Sequence, residues 1–204
     1  MSALTLVDVA FMGGDSSPKE IAKTARLMGF KAVAVDGLRD YLRVNGVSLI
    51  PRHTFTDPNK GMMPRGNVLR VFRCVDPDAF KLTNRVMTYA HAVELGGKVL
   101  SRLGRKNAKK LANTAIPVVI RASEVYDALV HGRSLSGLAT LLKLYEAGKI
   151  MLSVGSGARV LKEVRHGITL IALLTTLGLS EAKALAALTI NPKTLVERAG
   201  YVIK

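Results

Sequence analysis

Short, almost wholly apolar runs recur along this chain, and stretches with helical spacing lie between them. The runs fall at residues 4–10, 32–35, 47–50, 68–74, 87–95, 116–120 and 150–154. Apolar runs of this length, bounded by glycine, proline or a helix cap, read as strands buried on both faces, as in a parallel sheet. The run 68–74 instead alternates apolar residues with Arg70 and Arg73 and reads as a strand with basic residues at its exposed positions. Parallel neighbours need a crossover, and the intervening helices supply it. With seven or eight such strands, the natural closure of this α/β chain is a TIM-like (β/α) barrel. A chain of 204 residues is short for that fold, so some helices must be abbreviated or missing, and residues 36–68 are where we expect the loss. The whole of 1–204 is expected to form one domain.

The first unit is the clearest. Ser17-Pro18-Lys19-Glu20 combines an N-cap serine, a proline at the first helical position and a glutamate at the third, which is a capping box. The helix should run to Met28, with Ile21, Ala25 and Met28 on one face and Gly29 ending it. Further on, residues 51–67 read as a loop made basic by Arg52, Lys60 and Arg65. Asp76-Pro77-Asp78 should start a short helix reaching Asn84, and 98–113 a longer one. Helices are also expected over 123–130, 135–147 (capped by Ser134), 167–177 and 181–188 (capped by Ser180). A final helix begins at Asn191-Pro192.

Residues 149–165, KIMLSVGSGARVLKEVR, place a tight glycine turn at the carboxyl end of a strand, where α/β folds gather their binding groups. Gly155 and Gly157 let the backbone turn sharply and present N–H groups to an anion. Arg159, Lys162 and Arg165 add positive charge just beyond. The plainer reading is an ordinary strand-to-helix loop with solvated basic residues.

Thirty lysines and arginines against fifteen acids give a net charge of +15. Such self-repulsion opposes compactness and points to a polyanionic partner, with nucleic acid first and an anionic membrane second. The cations are spread along the chain, which favours a charged face over a disordered arm. In helix 98–113, Leu100, Leu103, Ala108 and Leu111 form an apolar stripe, while Arg102, Arg105, Lys106, Lys109 and Lys110 fall opposite with no acid among them. Like charges four residues apart destabilise a helix, and a polyanion would offset that. Arg121 and Arg133, at predicted strand and helix ends, are further candidates, since arginine grips phosphate bidentately. Five Tyr and five Phe, mostly in apolar runs, argue against an open base-stacking platform.

Signals for chemistry are sparse. His53, His91, His131 and His166 are scattered, whereas a zinc site needs ligands at close spacing. His91 and Glu94 stand three apart in a predicted strand, on opposite faces. Asp8 reads as a structural partner for a loop or a basic neighbour. Cys74, the single cysteine, excludes an internal disulfide and reads as a packed thiol. No signal peptide is visible, and the longest apolar stretch, 168–179, is too short to span a bilayer. The expectation is a cytoplasmic protein.

The second half resembles the archaeal ribonuclease P protein component 3 family. The resemblance rests on Ser156-Gly157-Ala158, Arg165, the apolar helix through Leu170, Ala172 and Leu173, and Leu177-Gly178-Leu179. Ala184, Ala187, Asn191-Pro192, Leu195 and Arg198 complete it, with Val7-Asp8-Val9 and residues 29–35 at the amino end. It covers about half the chain, and residues 36–110 depart from it.

The resemblance implies a TIM-like barrel related to the PHP phosphoesterases. It also implies a protein subunit of ribonuclease P, which removes the 5′ leader of precursor tRNA. In that family the RNA is the catalyst, so this chain would belong to an enzyme without being catalytic. The implied partners are ribonuclease P RNA, precursor tRNA within the complex and a second protein subunit of the Pop-five type, with no membrane and no cofactor. A PHP metal site would begin His-x-His near the first strand, where this chain reads Asp8-Val9-Ala10-Phe11, so no metal is expected. Two rivals stand beside this reading. One is a barrel enzyme gripping a small phosphorylated substrate at residues 155–158, and the other is a structural protein whose basic face meets an acidic partner.

Overall fold

The capping box at Ser17 forms as its residues dictate: the Ser17 Oγ accepts the Glu20 N–H, and the Glu20 carboxylate accepts the Ser17 N–H. In the computed structural model, which describes residues 5–57, 66–78 and 83–203, this box starts α1 (Pro18–Leu27). The helix joins β1 (Leu6–Phe11) to β2 (Phe30–Asp36), and the two strands pair in parallel.

The next segment departs from the strand–helix rule. Where a helix would return the chain, β3 (Leu42–Val44) and β4 (Val47–Phe55) form an antiparallel hairpin on Asn45-Gly46, both with positive φ. Asn-Gly favours this twisted two-residue turn. Residues 51–55, expected in a loop, instead continue β4. Pro51 interrupts nothing: β3 leaves β4 at Leu49 and β5 (Leu69–Cys74) joins it only at Arg52. Pro51 sits in the gap, where a missing N–H costs least. The Lys60 and Arg65 part of the expected loop lies outside the described residues.

Two more boundaries move. Asp76 to Asp78 form a turn in which the Asp78 N–H is donated to the Asp76 side chain. The described helix is α2 (Asn84–Tyr89), capped by Thr83, and residues 79–82 of the expected one lie outside the described residues. The strand expected over 87–95 is therefore only β6 (Ala92–Leu95), because the Thr83 cap draws Met87 to Tyr89 into α2.

The single helix expected over 98–113 is two, α3 (Gly97–Ser101) and α4 (Arg105–Ala112), with Gly104 extended between them. The break lets Leu103 stay buried while α6 (Ser136–Glu146) crosses α3 closely. A Cβ on Gly137 of α6 would stand 2.5, 2.6 and 2.7 Å from Val99 O, Leu100 O and Leu103 N. Those atoms are backbone and cannot swing away. Gly137→Ala is therefore expected to cost about 3 kcal/mol, the upper end for overpacking, read as a lower midpoint in urea with an unchanged slope.

The remaining elements are β7 (Val118–Arg121), α5 (Ala122–Val130), β8 (Leu152–Gly155), α7 (Gly167–Thr176), α8 (Glu181–Ala186) and α9 (Ile190–Arg198). Ser134 does not cap α6; its Oγ accepts the Ser136 N–H and Leu135 takes the cap position. Ser180 stands at the start of α8, but its N–H and hydroxyl are donated to Glu146.

Among the described residues, seven parallel strands run in the order β1-β2-β4-β5-β6-β7-β8. The ends nearly meet. Gly155 lies directly against Ala10, where any side chain would collide, and the Met12 N–H bonds to Ala158 O at 2.9 Å. The result is an abbreviated TIM-like barrel with a hairpin in place of one crossover helix.

Side chains alternate across the wall. Outward, Val33, Val35, Leu49, Phe72, Val93, Ile120 and Val154 pack under the helices. Inward, Val7, Val9, Ala32, Ala34, Ile50, Val71, Ala92 and Val119 fill the barrel. Alanine in this inward row suits so narrow an interior. Leu195 and Val196 of α9, with Tyr201 and Ile203, join the inward set.

Candidate nucleic-acid interface

One step further along each strand, the inward row turns from apolar to charged. Ala34 is followed by Asp36, Ile50 by Arg52, Val71 by Arg73, Ala92 by Glu94 and Val119 by Arg121. These residues form a polar layer beneath the carboxyl-terminal mouth. Glu94 is its centre: it is wholly buried and receives Arg52, Arg73 at 2.6 Å and Arg121 at 2.7 Å. Arg73 also reaches Glu124, and Arg52 lies 3.8 Å from Asp36. Burial alone would raise the Glu94 carboxyl, but Arg52, Arg121 and Arg73 outweigh it and hold it below its ordinary value. Burial lowers the Arg121 guanidinium; Glu94 opposes this, yet the nearby Arg52 and Arg73 leave it below its usual range.

The sequence alone reads Arg52 as a loop residue and relates Glu94 only to His91. The signal that points to the layer is a charged residue two places after an apolar one, repeated at the ends of five neighbouring strands.

The glycine turn after β8 lies at the same mouth, but the amides of Ser156, Ala158 and Arg159 are spoken for. Ser156 donates its N–H to Asp8 Oδ1 at 2.9 Å, Ala158 to Ser156 Oγ at 3.2 Å, and Arg159 to Glu163 at 2.8 Å. Asp8 also accepts the Ala10 N–H, so it ties β1 to this turn. Burial raises the Asp8 carboxyl despite these bonds. Ser123 Oγ holds Gly157 O from α5. The turn is thus a structural clasp more than an open anion nest.

Of the ten cations singled out from the sequence, nine are exposed: Arg102, Arg105, Lys106, Lys109, Lys110, Arg133, Arg159, Lys162 and Arg165. Arg121 is the exception, buried and committed to Glu94. Arg133 pairs with Asp127 at 2.9 Å, and His131 approaches the same carboxylate at 3.1 Å. The positive charge before α6 is therefore balanced by α5. Among the described residues, the other eight make no ion pair. Between Glu94 and Glu124 the chain carries Lys98, Arg102, Arg105, Lys106, Lys109, Lys110 and Arg121 and no acid. Lys98 and Arg159 line one trough of about 610 Å³ at the mouth, so α3 and the loop after β8 meet there.

Among the described residues, no group of three or more His, Cys, Asp and Glu could hold a metal ion. His53 stacks on Phe55, and His91 accepts the Arg70 N–H at 3.1 Å. Cys74 is buried, and burial raises its thiol. Burial and then Arg70 lower the His91 imidazole to about 4. A proton NMR titration of His91 should show a midpoint near 4. Because this base is held neutral in the fold, it should cost stability as pH falls from about 6.5, its unfolded value, towards 4. No described helix is long and apolar enough to cross a membrane.

A TIM-like α/β barrel with uncompensated cations on one helix and at its mouth is the class this geometry defines. No family model matches the chain, and no curated protein sequence matches it. In fold it is similar to a chain in the cryo-EM structure of archaeal Ribonuclease P with mature tRNA. The likeness has a TM-score of 0.56 at 12% sequence identity and covers 96% of this chain and 91% of that one. At that identity it establishes a shared fold along almost the whole length of both.

Proposed function

We propose that this chain is an RNA-binding protein subunit of ribonuclease P, supporting RNA-catalysed removal of the 5′ leader from precursor tRNA. The observation that carries the reading is the acid-free set of exposed cations on α3 and α4. Arg105 with Lys109, and Lys106 with Lys110, are like-charge pairs four apart, each unfavourable by roughly 0.2–0.5 kcal/mol. Arg105 and Lys106 also stand in the first turn of α4, at the positive end of its dipole. RNA phosphates reverse both penalties by replacing condensed counterions.

The end-to-end likeness to a chain of an archaeal ribonuclease P structure supports the assignment to that assembly, as does the sequence resemblance. On this reading the partners are ribonuclease P RNA, precursor tRNA within the complex and a Pop-five-type protein subunit, in the cytoplasm. The barrel acts as one domain and is not itself catalytic. The rival enzyme reading leans on free amides at residues 155–158, and those of Ser156 and Ala158 are bonded within the protein.

The test is a tagged pull-down from the native source, with the bound RNA sequenced and the eluate assayed on precursor tRNA. Recovery of one structured RNA with 5′-processing activity is expected. An RNA-free protein with no processing activity would overturn the assignment and return a phosphate-binding enzyme to the front.

A further inference from the structure

The barrel mouth has a cavity that the helical cation stripe does not explain. It measures about 420 Å³ and is walled by Ser123 and Tyr126 of α5 and by Ser156, Gly157, Arg159 and Arg165 of the loop after β8. The trough of about 610 Å³ adjoins it, sharing Glu124, Asp127 and Arg159. A cavity of this size suits a small molecule or one residue of a polymer.

Its wall makes two separate chemical demands. The Tyr126 ring is half-buried and carries the Arg165 guanidinium 5.9 Å from its centroid. The Arg159 and Arg165 side chains are exposed and have no carboxylate partner among the described residues. A ring face wants a flat π-system, and two guanidiniums want an anion.

We propose that this mouth cavity binds one unpaired nucleotide of an RNA chain. The base stacks at Tyr126, and its phosphate lies between Arg159 and Arg165. The proposal rests on reading the chain as an RNA-binding protein, and it adds a base contact to what is otherwise a backbone surface. Inorganic phosphate answers only the guanidiniums. An apolar peptide answers only the ring. Unpaired bases are the part of RNA that proteins read by stacking and by their hydrogen-bonding edges, and one recessed ring can do this without an open aromatic platform.

The experiment titrates the full chain, labelled with 15N, with 5′-GMP, 5′-AMP and inorganic phosphate, following the amides of Tyr126, Gly157, Arg159 and Arg165. Saturable shifts are expected with 5′-GMP and 5′-AMP alike, and at least tenfold weaker with phosphate. Tyr126→Ala should weaken 5′-GMP about tenfold, while Tyr126→Phe keeps it. Arg165→Ala, at an exposed position, should weaken it without touching the core. Equal shifts and affinity with phosphate alone would overturn the base site. So would silence at these amides while structured RNA still binds, and that result would leave the wider RNA reading intact. If neither 5′-GMP nor structured RNA binds at low salt, both readings fall.

Discussion

Glu94→Ala should destabilise the barrel by about 3–5 kcal/mol, the range for removing one partner of a buried ion pair. For a chain of this size that is a fall of roughly 6–20 °C in Tm. The carboxylate receives Arg52, Arg73 and Arg121 from three different strands, and the Arg52 side chain is wholly buried with it. Arg52 already has Nε and one Nη without a hydrogen-bond partner, and the Arg121 Nε is in the same position. Taking Glu94 away would leave buried positive charge with little to answer it. Arg52→Met added to Glu94→Leu should therefore cost less than the sum of the two single changes, a coupling measurable in a double-mutant cycle.

The pH dependence carries its own sign. The folded Glu94 carboxyl lies below its unfolded value, so its contribution is full above about pH 4.3 and is lost as pH falls through the folded value. Asp8 runs the other way. Its folded carboxyl is raised, so its contribution is present below about pH 3.9 and is lost as pH rises through the folded value. Denaturation between pH 3 and 5 should be steep in the parent protein and flatter in Glu94→Ala. Equal slopes would mean that Glu94 is not held ionised by its arginines.

Much of the fold is legible in the sequence because the apolar runs and caps act locally. Ser17 and Glu20 specify the start of α1 within four residues, and an alternating strand such as β5 declares itself by its own pattern. The hairpin of β3 and β4 escapes that reading although Asn45-Gly46 is a strong turn signal, because Pro51 reads as the end of a strand. Only the register of β3 and β5 on β4 shows why a proline is tolerated there. The break at residues 102–104 is invisible for a similar reason. Its cause is the approach of Gly137 on α6, more than thirty residues away, and helical spacing of the leucines survives across it.

The polar layer shows the same limit more sharply. Arg52, Arg73, Glu94 and Arg121 look unrelated in the chain, and only closure of the barrel brings them to one carboxylate. The exposed cations on α4 are the opposite case. Their meaning lies in what is absent nearby in sequence, an acid at three or four residues, so it can be read directly.

Changing Arg105, Lys106, Lys109 and Lys110 together to alanine should separate RNA affinity from stability. Each cation removed from a phosphate reduces the slope of log affinity against log salt by about 0.7–0.9, so removing four flattens it by roughly 3. Between 50 and 200 mM salt, a fourfold change, a slope of 3 is worth about 60-fold in affinity. The variant should lose most at low salt and converge on the parent protein at high salt. The fold should not suffer. Alanine has the highest helix propensity, and the change removes two like-charge pairs and two cations from the first turn of α4. Tm should stay level or rise by a degree or two. Ala108 and Leu111, which hold α4 to the barrel, are untouched. A variant that binds structured RNA with the parental salt slope would show that α4 is only a solvated face. The phosphate-binding cations would then have to be sought at Arg159, Lys162 and Arg165, in the loop after β8.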